Sequence, residues 1–243
     1  MLKTLEVNNS LEDKARIYSE ELENNGFLYI NQTFYKGEID LKEDLAKAQE
    51  SFETLEADPK GGGRYRAHSR YIAHPNSLEL ELDVTNDYFQ SKEYNYDDGG
   101  IVRKFNPISN SFLDNKLISN LINKDLHIAT STNLVNWEDK VTIGLHQVRY
   151  KVEAGEASYS SPVWLHRDDE PLVFVHLFDL SENALGGDNL IASSVKQIDQ
   201  VMRLGKPLET LALGQKVFHA VTPLGSSNTE VAYRDILLVT FSQ

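Results

Sequence analysis

The chain has 243 residues, 40% of them hydrophobic, which is enough for a sizeable core and too many for disorder. Its 24 basic and 37 acidic side chains give a net charge of −13, which argues against a nucleic-acid backbone or an anionic membrane surface as partner. With no cysteine, the chain has no disulfide, no thiolate nucleophile and no cysteine-based zinc or iron–sulfur site. The first seven residues lack the apolar region of a signal peptide, and no apolar run approaches membrane-spanning length. The expectation is a cytoplasmic, enzyme-sized domain acting on a small molecule, with its oligomeric state left open.

Ser10 followed by Asp13 is a helix N-cap signal, and Leu11, Ala15, Tyr18 and Leu22 then recur at helical spacing until Asn25-Gly26. Residues 27–30 read as a short strand. Leu41, Leu45, Ala48, Phe52 and Leu55 predict a second helix, stopped by Pro59 and Gly61-Gly62-Gly63. Helices at the start of a chain that later turns to strands are expected to pack on a sheet, here over about residues 10–57. Arg64, Arg66, His68 and Arg70 fall on one face of an alternating strand. Leu78, Leu80, Leu82 and Val84 alternate with acids and predict a half-buried strand. Asp97-Asp98-Gly99-Gly100 is a turn before a strand-like 101–105, and Leu113, Leu117, Ile118 and Leu121 suggest one more short helix.

From residue 141 the chain reads mostly as strands: 141–152, 162–166, 172–178, 190–193, 208–211, 217–221 and 236–241. Residues 197–204 are read as a helical turn. The fold class is therefore mainly β with flanking helices, a sandwich or jelly roll, in one domain spanning 1–243.

The chemistry concentrates in Trp164-Leu165-His166-Arg167-Asp168-Asp169-Glu170. In an extended strand the imidazole of His166 and the carboxylate of Asp168 project to the same side. A second histidine, His219, lies in the apolar stretch 217–221. Two histidines and one carboxylate on one face of a metal, with the other positions open, is the arrangement of non-haem Fe(II) oxygenases. His-x-Asp alone recurs by chance; the ordered set with His219 and Arg234 is far more specific. Arg234 enters the apolar strand 236–241, and an arginine pointing into a core needs an anion. That anion is a dicarboxylic cosubstrate or a structural Asp or Glu.

The set resembles the Fe(II)/2-oxoglutarate-dependent dioxygenases, whose double-stranded β-helix is a cupin-like jelly roll. Cupins usually begin their metal motif with His-x-His, and Asp168 stands in its second position here. Segments 69–72, 86–100, 144–151, 160–166, 186–192, 214–225 and 234–242 are similar to the bacterial free-amino-acid hydroxylases of the isoleucine dioxygenase type. The resemblance implies iron held by His166, Asp168 and His219, and 2-oxoglutarate held by Arg234 with Tyr150 and Ser160. It implies hydroxylation of a free aliphatic L-amino acid, isoleucine or a hydroxylated relative, giving succinate and CO2 from 2-oxoglutarate and O2. Arg70, with Tyr71, and Asp169 are the candidates for the amino acid's carboxylate and ammonium. Two other classes stay open: a cupin-like protein that binds a small acid through a metal without oxygenase activity, and a β-sandwich interaction module.

Overall fold

The structure, a computed structural model, describes residues 10–36, 41–75, 79–85 and 87–243. The chain starts with α1 (Leu11–Asn25), β1 (Phe27–Ile30), α2 (Gln32–Lys36) and α3 (Lys42–Ser51), the last continued by a 3-10 turn over Phe52–Thr54. Next come β2 (Arg64–Ala73), β3 (Leu80–Asp83), β4 (Asp87–Phe89), β5 (Val102–Lys104), α4 (Asn110–Leu113) and α5 (Lys116–Thr130). The remainder is β6 (Val141–Val152), β7 (Leu172–Leu180), β8 (Ala184–Leu185), β9 (Asn189–Ala192), β10 (Gln200–Met202), β11 (Thr210–Gly214), β12 (Phe218–Val221), β13 (Gly225–Ser226) and β14 (Ala232–Ser242).

Local chemistry accounts for the ends of α1. The Ser10 hydroxyl accepts from the Asp13 amide, and Gly26 takes the left-handed conformation that closes the helix. Gly26 is needed for a second reason: a Cβ there would sit 2.7 Å from the Cβ of Lys216. Asn115 caps α5 in the same way as Ser10 caps α1, and α5 runs for 15 residues where a short helix was expected.

Seven strands form one antiparallel sheet in the order β1-β11-β7-β14-β6-β2-β3. A second, three-stranded sheet has the order β10-β9-β12. The alternation of side chains along each strand gives the large sheet two different faces. Leu145, Phe174, Phe178, Leu237 and Phe241 point to one face and pack under α1, α3 and α5. Val148, Val175, Leu213 and Ile236 point to the other and meet Ile191 of the small sheet and Val217 beside it. This is the jelly roll expected, with the N-terminal helices covering its outer face.

Three expectations differ from what is observed. Leu82 and Val84 are exposed: β3 is the edge strand among the described residues, and Val84 lies past its end; Leu78 lies outside the described residues. Residues 197–204 hold strand β10 rather than a helical turn, paired to β9 from Gln200↔Ile191 to Met202↔Asn189. Residues 162–166 are not a strand: only His166 pairs, in a single bridge to His219.

Candidate metal centre and its flanking cavities

That bridge sets the centre. The His166 amide donates to the His219 carbonyl at 2.9 Å and the His219 amide returns the bond at 2.8 Å. Two histidines remote in sequence are thus locked side by side, with ring centroids 4.4 Å apart. Asp168 completes the group: its oxygens lie 3.6 Å from His166 Nε2 and 3.3 Å from His219 Nε2. One ligand atom from each residue lies within 4.8 Å of the other two, close enough to share a single ion. His166 Nδ1 donates to the Trp164 carbonyl at 2.8 Å, because a carbonyl only accepts; its Nε2 is therefore the nitrogen with a lone pair for a metal.

The electrostatics suit a cation. Burial works against charge on Asp168, yet His219 and His166 hold its carboxylate below the ordinary range. Burial pushes His219 down to about 4, so it stays a neutral ligand. Burial also opposes charge on His166, but the hydrogen bond to Asp168 and its charge prevail and hold that imidazole above its ordinary value.

Beside the triad opens a cavity lined by Tyr150, Ser160, Val175, Asn189, Val221 and Arg234. Arg234 is only 2% exposed, and its Nε and Nη2 have no hydrogen-bond partner among the described residues. A buried guanidinium left in that state is costly unless an anion meets it. Gly187 makes room for it: a Cβ there would lie 3.1 Å from Arg234 Cδ. Register explains the placement, since Arg234 pairs with Tyr150 across β14 and β6, so both side chains share the inner face. The set offers an anion a buried guanidinium in a cavity that also touches the triad.

A second cavity adjoins the first, sharing Tyr150, Asp168, Val173 and Leu238 with it and lined further by Arg64, Arg66, Tyr88, Gln90, Arg103, His146, Val148, Glu170 and Thr240. Glu170 is buried, and burial with the charges of Asp168 and Asp169 pushes its carboxyl up to about 7. Arg66 is held by His146 Nδ1 at 2.8 Å and lies over the Phe105 ring at 4.1 Å. Arg103 donates to Gln90 Oε1 at 2.7 Å and lies over the Tyr88 ring.

The structure brings six of the nine residues expected at the site to the triad and its first cavity: His166, Asp168, His219, Arg234, Tyr150 and Ser160. It does not bring Arg70, Tyr71 or Asp169 to either cavity. Arg70 shares the inner face with Arg66, but four residues along a strand is about 13 Å. It donates to Asp83 at 2.7 Å, to the Asp87 carbonyl at 2.8 Å and to Thr85 Oγ1. Tyr71 has the opposite parity and packs with the helix-side core. Asp169 accepts from the Ser91 amide at 3.0 Å. Arg70 and Asp169 thus anchor the segment 87–104, which carries Tyr88, Gln90 and Arg103 over the second cavity. Nothing in the sequence shows that this hairpin crosses the sheet face, so Arg103 and Glu170 were not singled out.

The fold agrees with that of relatives. A family model described as 2OG-Fe dioxygenase matches residues 49–240. The L-isoleucine-4-hydroxylase of Bacillus thuringiensis is 52% identical over 233 residues, covering 96% of this chain and 95% of that protein. The 3(1)-hydroxy-L-isoleucine 4-dioxygenase of Pantoea ananatis (strain AJ13355) is 36% identical over 236 residues, covering 93% and 95%. The crystal structure of IDO from Bacillus thuringiensis superimposes with a TM-score of 0.85 at 46% identity, covering 94% of each chain. With a family model matching residues 49–240, a jelly roll, and two histidines and a carboxylate around one point, the chain belongs to the 2OG-Fe dioxygenase family, enzymes that use Fe(II), 2-oxoglutarate and O2.

Proposed function

We propose that this dioxygenase hydroxylates a free aliphatic L-amino acid, isoleucine or a hydroxylated relative, and that residues 1–243 act as one domain in the cytoplasm. The observation that carries the reading is the pairing of the triad with two cavities of opposite demand. One offers the guanidinium of Arg234, with two nitrogens unpartnered among the described residues; the other adds Arg66, Arg103, Glu170 and Val148, while Val173 and Leu238 line both. Two relatives at 52% and 36% identity are named for isoleucine and hydroxyisoleucine, which points the same way. Among the described residues no helix is long and apolar enough to cross a membrane.

In this reading His166, Asp168 and His219 would hold iron. Arg234 grips the distal carboxylate of 2-oxoglutarate, while Tyr150 and Ser160 line its flank. Bound iron, with 2-oxoglutarate and O2, supplies the oxidation: one oxygen atom ends in succinate as CO2 leaves, the other in the new hydroxyl. The protein's own part is position and dryness. Val148, Val173 and Leu238 hold an unreactive C–H toward the triad, and segment 87–104 covers the cavity against water. The metal-binding small-acid alternative lacks a use for this second cavity.

The test uses the whole enzyme with Fe(II), 2-oxoglutarate and a panel of free L-amino acids, reading succinate and a product heavier by one oxygen. Isoleucine or a close relative stimulates succinate release, and Asp168→Ala abolishes it. Equal succinate with and without every amino acid would sink the substrate assignment.

A further inference from the structure

The second cavity holds charges that the protein leaves unmatched. Arg64 shares Asp58 at 3.7 Å and Asp98 at 3.5 Å. Arg66 has Asp58 alone, at 3.7 Å, and burial and nearby Arg103 both work against its charge. Arg103 accepts no help from a carboxylate within ion-pair distance among the described residues. The Nε of Arg66 and that of Arg103 are buried without a hydrogen-bond partner there. Glu170 lines the same cavity and is only 8% exposed.

Gln90 stands in the same cavity, where its Oε1 accepts from Arg103 at 2.7 Å. Arg66 and Arg103, each with a buried Nε, and the buried carboxyl of Glu170 thus line one cavity, the complement of the two charged ends of an α-amino acid. The two guanidinium groups already lie over the rings of Phe105 and Tyr88, so little freedom is lost when they bind.

We propose that Arg66 and Arg103 hold the carboxylate of the amino acid and that Glu170 holds its ammonium, leaving the aliphatic side chain against Val148, Val173 and Leu238. The assignment rests on the amino-acid reading above and names the groups that make it specific for a zwitterion. Arg66 and Glu170 project from elements of the jelly roll and its 166–170 loop, and Arg103 from the crossing hairpin.

Three ligands separate the ends: L-isoleucine, 3-methylpentanoic acid, which lacks the ammonium, and 2-methylbutylamine, which lacks the carboxylate. Binding is measured by calorimetry to enzyme loaded with Mn(II) and 2-oxoglutarate, with succinate release from the Fe(II) enzyme as a second readout. Loss of one charge-assisted pair weakens binding about 10- to 100-fold. Glu170→Gln weakens isoleucine by that factor and leaves the acid unchanged. Arg103→Met weakens isoleucine and the acid and leaves the amine unchanged, and Arg103→Lys recovers part of the loss. Each variant keeps its binding of 2-oxoglutarate, which confirms that it is folded. If Arg103→Met does not fold, the isosteric Glu170→Gln decides. Wild-type binding of isoleucine with no shift in selectivity in Glu170→Gln overturns this proposal alone. A wild-type enzyme that binds no amino acid of the panel overturns the amino-acid reading and this proposal with it.

Discussion

The two faces of the seven-stranded sheet treat buried polar groups in opposite ways. On the helix-covered face His176 is fully buried, and both its ring nitrogens are used: Nδ1 lies 2.8 Å from Thr210 Oγ1 and Nε2 lies 2.8 Å from Asp125. The second oxygen of Asp125 accepts from the hydroxyl of Tyr35 at 2.7 Å. This chain ties α2 and α5 to β7 and β11, and every member has its partner. On the inner face Arg234 is as deeply buried, and two of its nitrogens have none among the described residues. A satisfied polar network specifies a fold; an unsatisfied one waits for a ligand. The same sheet thus separates residues that hold the protein together from residues that hold something else.

Substitutions on each face sharpen the contrast. Arg234→Met has the largest effect on ligand and the least on stability. The KM for 2-oxoglutarate rises about 100-fold, while the apo protein unfolds at the same temperature as wild type or above it, because an unmatched buried charge is gone. A fall in apo stability together with the KM would show that Arg234 has a structural partner after all. His176→Phe gives the converse: urea unfolding loses about 3 kcal/mol as Asp125 is left short of a partner, and the KM for 2-oxoglutarate stays within about twofold.

The next effect is on metal. A protonated imidazole cannot be a ligand, so proton competition weakens binding as pH falls. Burial keeps His219 neutral down to about 4, whereas His166 is held above its ordinary value. One proton therefore competes, and Mn(II) affinity measured by calorimetry falls about tenfold per pH unit once the pH is below the raised value of His166. A slope of two protons would show that His219 is not kept neutral. The smallest effect belongs to Gly187→Ala, where φ is +73° and the new Cβ would crowd Arg234. It costs about 1–2 kcal/mol in stability and raises the KM for 2-oxoglutarate a few-fold.

Much of this was legible in the sequence. The stripe of Leu11, Ala15, Tyr18 and Leu22 with Ser10 and Gly26 gave α1, and the long apolar runs gave β6, β7 and β14. The order His166, Asp168, His219, Arg234 gave the inner face. What failed were statements about neighbours. The alternation around Leu82 is a strand pattern, but periodicity does not say that the strand is an edge. Arg70 has the parity of Arg66, yet only the pairing of β2 with β6 shows which of them stands beside Val148 and which beside Gly144. His166 and Asp168 do stand side by side, but not on a strand: His166 lies in a loop tied by a backbone bridge to His219 of β12.

Asp168, Asp169 and Glu170 are consecutive, and each faces a different object: the metal position, the Ser91 amide and the second cavity. Adjacent Cα atoms are about 3.8 Å apart, so this run works as a molded ruler of fixed length. Gaining or losing a single residue inside it would misplace ion, roof and ligand together. Lengthening the surface loop after β9 would disturb none of them. Tolerance to insertion across this chain is therefore uneven, and its strictest point spans three neighbouring acids.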